Sequence, residues 1–227
     1  GSGCGKSTLL KNLIGLLRPE EGEIWIDGKN VAQLPPKEFD KVRKKFGMLF
    51  QGAALFNSMT VGENVAVPLR EHTDLSEEII HIIVKIKLEL VGLTGFEDFY
   101  PYQISGGMKK RVALARAIAL DPKIVFYDEP GAGLDPITAA MIDQLILDLS
   151  SKLQITSVVV THEMKSAFRI ADQMIMLHRG KVVAEGSPEA VKQSSNSYVR
   201  QFIHGEPEGA IPFRQSSDAY LKGLLEP

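Results

Sequence analysis

The chain has 227 residues, 44% hydrophobic and 24% charged, with a formal net charge of −2. This balance suits a soluble globular protein of one large domain, or one domain with an appendage, and disfavours bulk nucleic-acid binding. The single cysteine, Cys4, excludes an internal disulfide framework, and no apolar run reaches the roughly 18–20 residues that span a bilayer.

The chain opens GSGCGKSTLL. Phosphate-binding loops follow G-x-x-x-x-G-K-[ST], and Gly5, Lys6 and Ser7 fill the last three places. A glycine-rich turn at a helix N-terminus gathers main-chain N–H groups into an anion cradle. The candidate cradle is Gly1, Ser2, Gly3, Cys4, Gly5, Lys6, Ser7 and Thr8, with Lys6 reaching the β- and γ-phosphates, Ser7 ligating Mg²⁺ and Cys4 a spacer. The first glycine of the pattern would precede Gly1, so the sequence is expected to be a fragment whose start is missing.

Residues 7–17 read as a helix with Leu9, Leu10, Leu13, Ile14, Leu16 and Leu17 on a broad apolar face and Pro19 beyond its end. Residues 23–29 read as a strand into an Asp27-Gly28 turn, 35–46 as a short charged helix, and 47–50 as a strand leading to Gln51. Residues 76–92 form a helix that Ser76 can cap, with Glu77 and Glu78 at its positive end and its Ile, Val and Leu positions in the core. Residues 104–120 begin Ser-Gly-Gly and continue as a helix to Asp121-Pro122. The apolar runs 124–127 and 157–160 end near Asp128 and His162, and strands apolar on both faces predict a parallel sheet covered by helices. Residues 137–153 carry helical periodicity, and 174–186 read as a strand pair turning near Gly180. After Val191 the chain is polar and broken by Gly and Pro. Ordering it costs about 1–2 kcal/mol per residue of backbone, so this tail is expected to dock on something or stay mobile.

Asp128 stands at the carboxyl end of a buried strand, where it can hold Mg²⁺ through water, and Glu129 beside it can orient and deprotonate an attacking water. Ser105 is a good N-cap, and Gly106-Gly107 permits close backbone approach, so this helix start suits another phosphate. A second phosphate site in a chain that already has a cradle suggests that two subunits share each nucleotide. The basic clusters 41–45 and 108–111 read as solvated helix faces. His72, His81, His178 and His204 lack metal-ligand spacing, and the methionines, Met141 among them, read as packing residues.

In this order the motifs resemble the ATP-binding subunits of ABC transporters over residues 1 to about 190. GSGCGKST is similar to their Walker A motif, Gln51 to the Q-loop, ISGGM to the signature, IVFYDEP to Walker B, GLDP (133–136) to the D-loop, and His162 to the switch histidine. Met108 departs from the glutamine that usually ends the signature. The resemblance implies an α/β P-loop ATPase domain over 1–191 with a parallel-sheet core and a helical subdomain at about 70–120, followed by a C-terminal extension over 192–227. It implies missing N-terminal strands and a missing adenine-stacking aromatic. It implies ATP and Mg²⁺, with Glu129, His162 and Gln51 catalytic and Ser7, Gln51 and Asp128 on the metal. Ser105, Gly106 and Gly107 would face the nucleotide of a second copy, and Asp135 would communicate across that interface. A transmembrane permease would be the other partner, its coupling helix entering a groove near Phe50, Leu55, Phe56 and Val61, residues that otherwise read as packing.

Residues 49–77, SGGM, and IPFR at 211–214 further resemble the ATPases of the Mla phospholipid-trafficking systems of Gram-negative bacteria. This narrower likeness implies maintenance of outer-membrane lipid asymmetry from the cytoplasmic face of the inner membrane. It adds an MCE-domain substrate-binding protein and a small STAS-domain cytoplasmic protein as partners, no nucleic acid, and a tail docked on the neighbouring ATPase. The alternatives are an ABC ATPase serving another solute, a soluble ABC-type ATPase acting on DNA or ribosomes, and a P-loop kinase.

Overall fold

Three parallel strands, β3 (Phe46–Leu49), β4 (Ile124–Asp128) and β5 (Thr156–Val160), hydrogen-bond in the order β3-β4-β5 and organise the larger part of the chain. The computed structural model describes residues 3–211, which divide into a unit of residues 6–170 and a unit made of 3–5 with 171–211. In the larger unit β4 is central, and its Val125, Phe126 and Tyr127 are buried as a doubly covered strand requires. Burial pushes the Tyr127 phenol up to about 12. The valines of β5, an edge strand among the described residues, are half-buried.

Helix α1 (Lys6–Leu13) ends short of the expected Leu17 because Gly15 adopts a left-handed φ of +72° and stops the helical turn. The hairpin β1 (Trp25–Ile26) and β2 (Lys29–Asn30) turns on Asp27 and Gly28, both at positive φ. That is the two-residue turn whose twist matches paired strands. Helix α2 (Pro36–Arg43) follows.

A helical layer of α3 (Val61–His72), α4 (Glu77–Leu90) and α5 (Gly106–Ala117) packs on one core that includes Val65, Leu69, Val84, Leu88 and Val112. Thr60 and Glu63 close a reciprocal capping box on α3. The fully buried Asn64 ties the preceding loop, accepting from the Phe56 N–H at 2.8 Å and donating to the carbonyls of Phe56, Met59 and Thr60. Helix α4 departs from expectation in two ways. The Ser76 hydroxyl lies 3.4 Å from Glu78 Oε2 and makes no capping bond. Ile80, Val84 and Leu88 are buried, but Ile79, Ile82 and Ile86 are 45–58% exposed, because a helix apolar nearly all round can bury only one stripe. Lys87, on the buried side, donates to Asp121 at 2.5 Å. Helix α5 ends at Ala117, three residues before the expected Leu120.

Helices α6 (Pro136–Leu153) and α7 (Met164–Ile170) are joined through Asp143, 1% exposed, which accepts from Ser166 Oγ at 2.5 Å and from Arg169 at 2.7 Å. Met141 on α6 is 65% exposed rather than packed.

In the smaller unit β6 (Met174–His178) and β7 (Lys181–Gly186) form a hairpin through Arg179 and Gly180, both at positive φ. Helices α8 (Pro188–Lys192) and α9 (Ser197–His204) follow, with Val199 buried and His178 stacked on Tyr198. The segment expected to dock or stay mobile therefore packs within this unit as far as Ile211, where the Gln201 amide bonds both main-chain groups of Ile211. Residues 212–227, including most of IPFR, lie outside the described residues. Among the described residues no helix is long and apolar enough to cross a membrane.

Gly47 of β3 carries the closest approach of α5 to the sheet, since a Cβ there would overlap the Ala117 carbonyl. Main chain cannot rotate out of the way as a side-chain tip can. Gly47→Ala is expected to lower unfolding free energy by about 1–3 kcal/mol or more, read by denaturant titration.

Candidate active site

The site is built at the end of β4. Asp128 is the last residue of the strand, and Glu129, 8% exposed, follows in a left-handed conformation at φ +48°. The Glu129 N–H donates to the Val160 carbonyl at 2.8 Å, so the turn is tied to the end of β5. The Glu129 carboxylate reaches His162, with Oε1 2.8 Å from Nδ1 and Oε2 accepting the His162 N–H at 3.3 Å. An ionised carboxylate only accepts, so against such a carboxylate Nδ1 is the donor. The nominated base and the switch histidine are therefore in contact within one chain.

Burial, and next the charge of Glu129, push the Asp128 carboxyl up, while Lys110, Lys6 and Lys11 oppose the shift. Lys6 and Ser7 open α1. Ser7, Asp128 and Gln51 offer a hydroxyl, a carboxylate and an amide, the hard oxygen donors that Mg²⁺ takes beside phosphate. In the smaller unit Gly3 and Gly5 adopt φ +72° and +104°, and a Cβ on Gly3 would project into open space where a ligand can approach the main chain. The donor chemistry of the larger unit fits a metal bound beside phosphate. Cys4, between Gly3 and Gly5, is 6% exposed.

Ser105 caps α5, accepting from the Met108 N–H at 3.3 Å, and with Gly106 it is exposed. Gly107 is buried, because a Cβ would lie 2.6 Å from Thr138 Cγ2 on α6. Its lack of a side chain serves helix packing. Asp135 caps α6, accepting from the Ile137 and Thr138 N–H groups at 3.0 Å and from Thr138 Oγ1 at 2.5 Å. These bonds, led by the Thr138 hydroxyl, hold its carboxyl below the usual range.

The loop after β3 carries an exposed Gln51, then Ala53 and Ala54 in the left-handed region at φ +62° and +49°. The Arg116 guanidinium of α5 donates to both alanine carbonyls at 2.8 Å and lies over the Phe56 ring. Phe50 and Phe56 are 40% and 49% exposed, Leu55 is half-buried, and Val61 is in the core.

The sequence family described as ABC transporter matches residues 1–132. The chain is 47% identical, over 99% of its length and 85% of the relative's, to the "Intermembrane phospholipid transport system ATP-binding protein MlaF" of Haemophilus influenzae. It is 48% identical to the "Probable ribonucleotide transport ATP-binding protein mkl" of Mycobacterium leprae, over 96% of this chain but 62% of that one. A solved dimeric structure of the ATP-binding cassette MJ0796, in a post-hydrolysis state bound to ADP and Pi, superposes with TM-score 0.75 at 36% identity, covering 83% of this chain and 82% of the other. The chain belongs to the ABC transporter family. It is an ABC ATPase, an α/β nucleotide-binding protein that hydrolyses ATP.

Two residues of this ABC ATPase escape sequence reasoning. Lys110 sits in a cluster read as solvated, yet it is 5% exposed and buried among main-chain carbonyls. Its spacing from Gly107 and Leu114, three and four residues away on the buried stripe, is the signal that places it inward. Arg116 carries no such signal. Replacing it by Met leaves two carbonyls of a left-handed loop unpaired. Arg116→Met is expected to destabilise the chain by about 1–3 kcal/mol and to speed amide exchange across 51–57 ahead of β4, read by hydrogen-exchange mass spectrometry.

Proposed function

We propose that this ABC ATPase powers phospholipid trafficking between the inner and outer membranes of a Gram-negative cell. One observation carries the cargo: the likeness to MlaF runs over 99% of this chain and 85% of the relative. The ribonucleotide reading from mkl covers 62% of its relative and is the second choice. In this reading two copies close on two ATP molecules, as the dimeric form of MJ0796 suggests. A transmembrane permease, an MCE-domain protein and a small STAS-domain protein complete the assembly at the cytoplasmic face of the inner membrane. Exposed Phe50 and Phe56 suit the permease contact, and the likeness of IPFR to the Mla ATPases suits a tail that docks on the neighbouring ATPase.

Each residue has a role in the reading. The main chain of the loop from Gly1 to Gly5, with Lys6 and Thr8, holds the phosphates, while Ser7, Asp128 and Gln51 hold Mg²⁺. When bound, the metal neutralises charge on the β- and γ-phosphates. Glu129 takes a proton from the attacking water as its oxygen bonds to the γ-phosphorus, and the bond to the β–γ bridging oxygen breaks with its electron pair leaving on ADP. His162, held by Glu129 through Nδ1, orients that water and the γ-phosphate. Ser105, Gly106 and Gly107 of the opposing copy supply N–H groups at a helix N-terminus, and Asp135 links the two sites. Hydrolysis resets the permease because ATP favours the closed pair more than ADP does once phosphate has left.

Glu129→Gln is expected to lower turnover by about 10²–10⁴-fold while ATP still drives two copies together, read by phosphate release and sedimentation. Wild-type turnover in that variant would refute the assignment of the base. For the cargo, the full-length complex is purified from membranes and its bound small molecules identified by mass spectrometry. Co-purified phospholipid with an MCE-domain subunit is expected, and ribonucleotide with neither would overturn the reading.

A further inference from the structure

Lys110 is unusual for a lysine on the second turn of a helix. It is 5% exposed, where a charged side chain is tolerated only with partners. Its Nζ donates to the Gln51 carbonyl and, at 3.4 Å, to the Glu129 carbonyl. These main-chain groups belong to the loop after β3 and to the turn after β4, elements that share no other hydrogen bond among those described. The Glu129 carbonyl also accepts the Ala132 N–H at 3.1 Å, so Lys110 adds a second anchor to a residue whose backbone is left-handed. Burial pulls the ammonium down from its ordinary range, and Asp128 and Glu129 oppose that shift.

We propose that Lys110 is a positioning residue for ATP hydrolysis, a two-pronged clamp that fixes the main chain of Gln51 and Glu129 relative to each other. In this role it acts through the main-chain carbonyls it bonds. By holding the left-handed turn it aims the Glu129 carboxylate, and by holding Gln51 it keeps that residue beside the same reacting centre. A base displaced by about 1 Å can lose on the order of 100-fold in rate, so a clamp acting only on geometry has room for a large effect. The proposal rests on the reading that Glu129 is the base.

The test uses the full-length protein in its transport complex, comparing wild type, E129Q, K110M and K110Q by steady-state ATPase, equilibrium ATP binding and thermal melting. K110M keeps the stem and removes all donors. K110Q carries an amide with two N–H donors but is one atom shorter and reaches one carbonyl at a time. The expected order of kcat is wild type, then K110Q reduced several-fold, then K110M reduced roughly 10- to 100-fold, with ATP affinity unchanged throughout. Wild-type kcat in K110M, or equal losses of kcat and ATP affinity, would overturn the proposal, since a merely structural residue gives no such split. K110Q no better than a folded K110M would overturn it too, because charge and not donation would then matter. If K110M does not assemble, K110Q decides: reduced kcat at unchanged affinity supports the clamp, and wild-type kcat overturns it. An active E129Q brings down the base assignment and the clamp together, whereas an inactive E129Q beside a fully active K110M brings down the clamp alone.

Discussion

Two neighbouring carboxylates at the end of a buried strand set the terms for the rest of this structure. Glu129 is buried and Asp128 half-buried, and burial together with the neighbouring Glu129 charge pushes the Asp128 carboxyl up. Such a pair persists only if cations and donors surround it. Here they come from separate elements: Lys6 and Lys11 from α1, Lys110 from α5, and the ring and N–H of His162 from the segment after β5. Parallel strands bring these elements together, because consecutive carboxyl ends of β3, β4 and β5 share one edge of the sheet.

Which residues stand along this edge was legible in the sequence. An apolar run ending in Asp-Glu, a glycine-rich loop ahead of a helix and a Ser-Gly-Gly cap each declare a local backbone need, and local needs survive in single sequences. The failures are of two kinds. Where a segment is apolar on several faces, periodicity cannot choose the buried stripe. Ile79, Ile82 and Ile86 of α4 are exposed while Ile80, Val84 and Leu88 are not, and only the positions of α3 and α5 decide it. Where a charged residue pairs with distant main chain, its type misleads. Lys110 reads as surface because lysine usually is, and its carbonyl partners lie 59 and 19 residues away. Helix α3 was missed as well, although Thr60 and Glu63 form a capping box and Val61, Val65 and Leu69 repeat at helical spacing. Pro68 lies within it, a residue more often found at helix starts.

The element that joins these parts is α5. Its first residues, Ser105 and Gly106, face outward, while Gly107 lies under Thr138 of α6, the helix that Asp135 caps. One turn on, Lys110 bonds the main chain of Gln51 and Glu129, and further on Arg116 grips Ala53 and Ala54. Its last residue, Ala117, lies so close to Gly47 of β3 that no side chain fits between. A helix of this length is stiff along its axis, because displacing one end strains every i to i−4 bond. A displacement of Ser105 along the axis must therefore be felt at the loop bearing Gln51 and at the turn bearing Glu129, unless the contacts of Lys110 and Arg116 break. Those contacts are made by cations to carbonyls, among the stronger hydrogen bonds a protein makes, and the Lys110 bond to Glu129 is buried while those of Arg116 are nearer the surface. The left-handed alanines they hold are the softer partner. Lys110 is thus one link between the loop after β3 and the turn bearing Glu129, beside the β3–β4 ladder and the tie of that turn to β5.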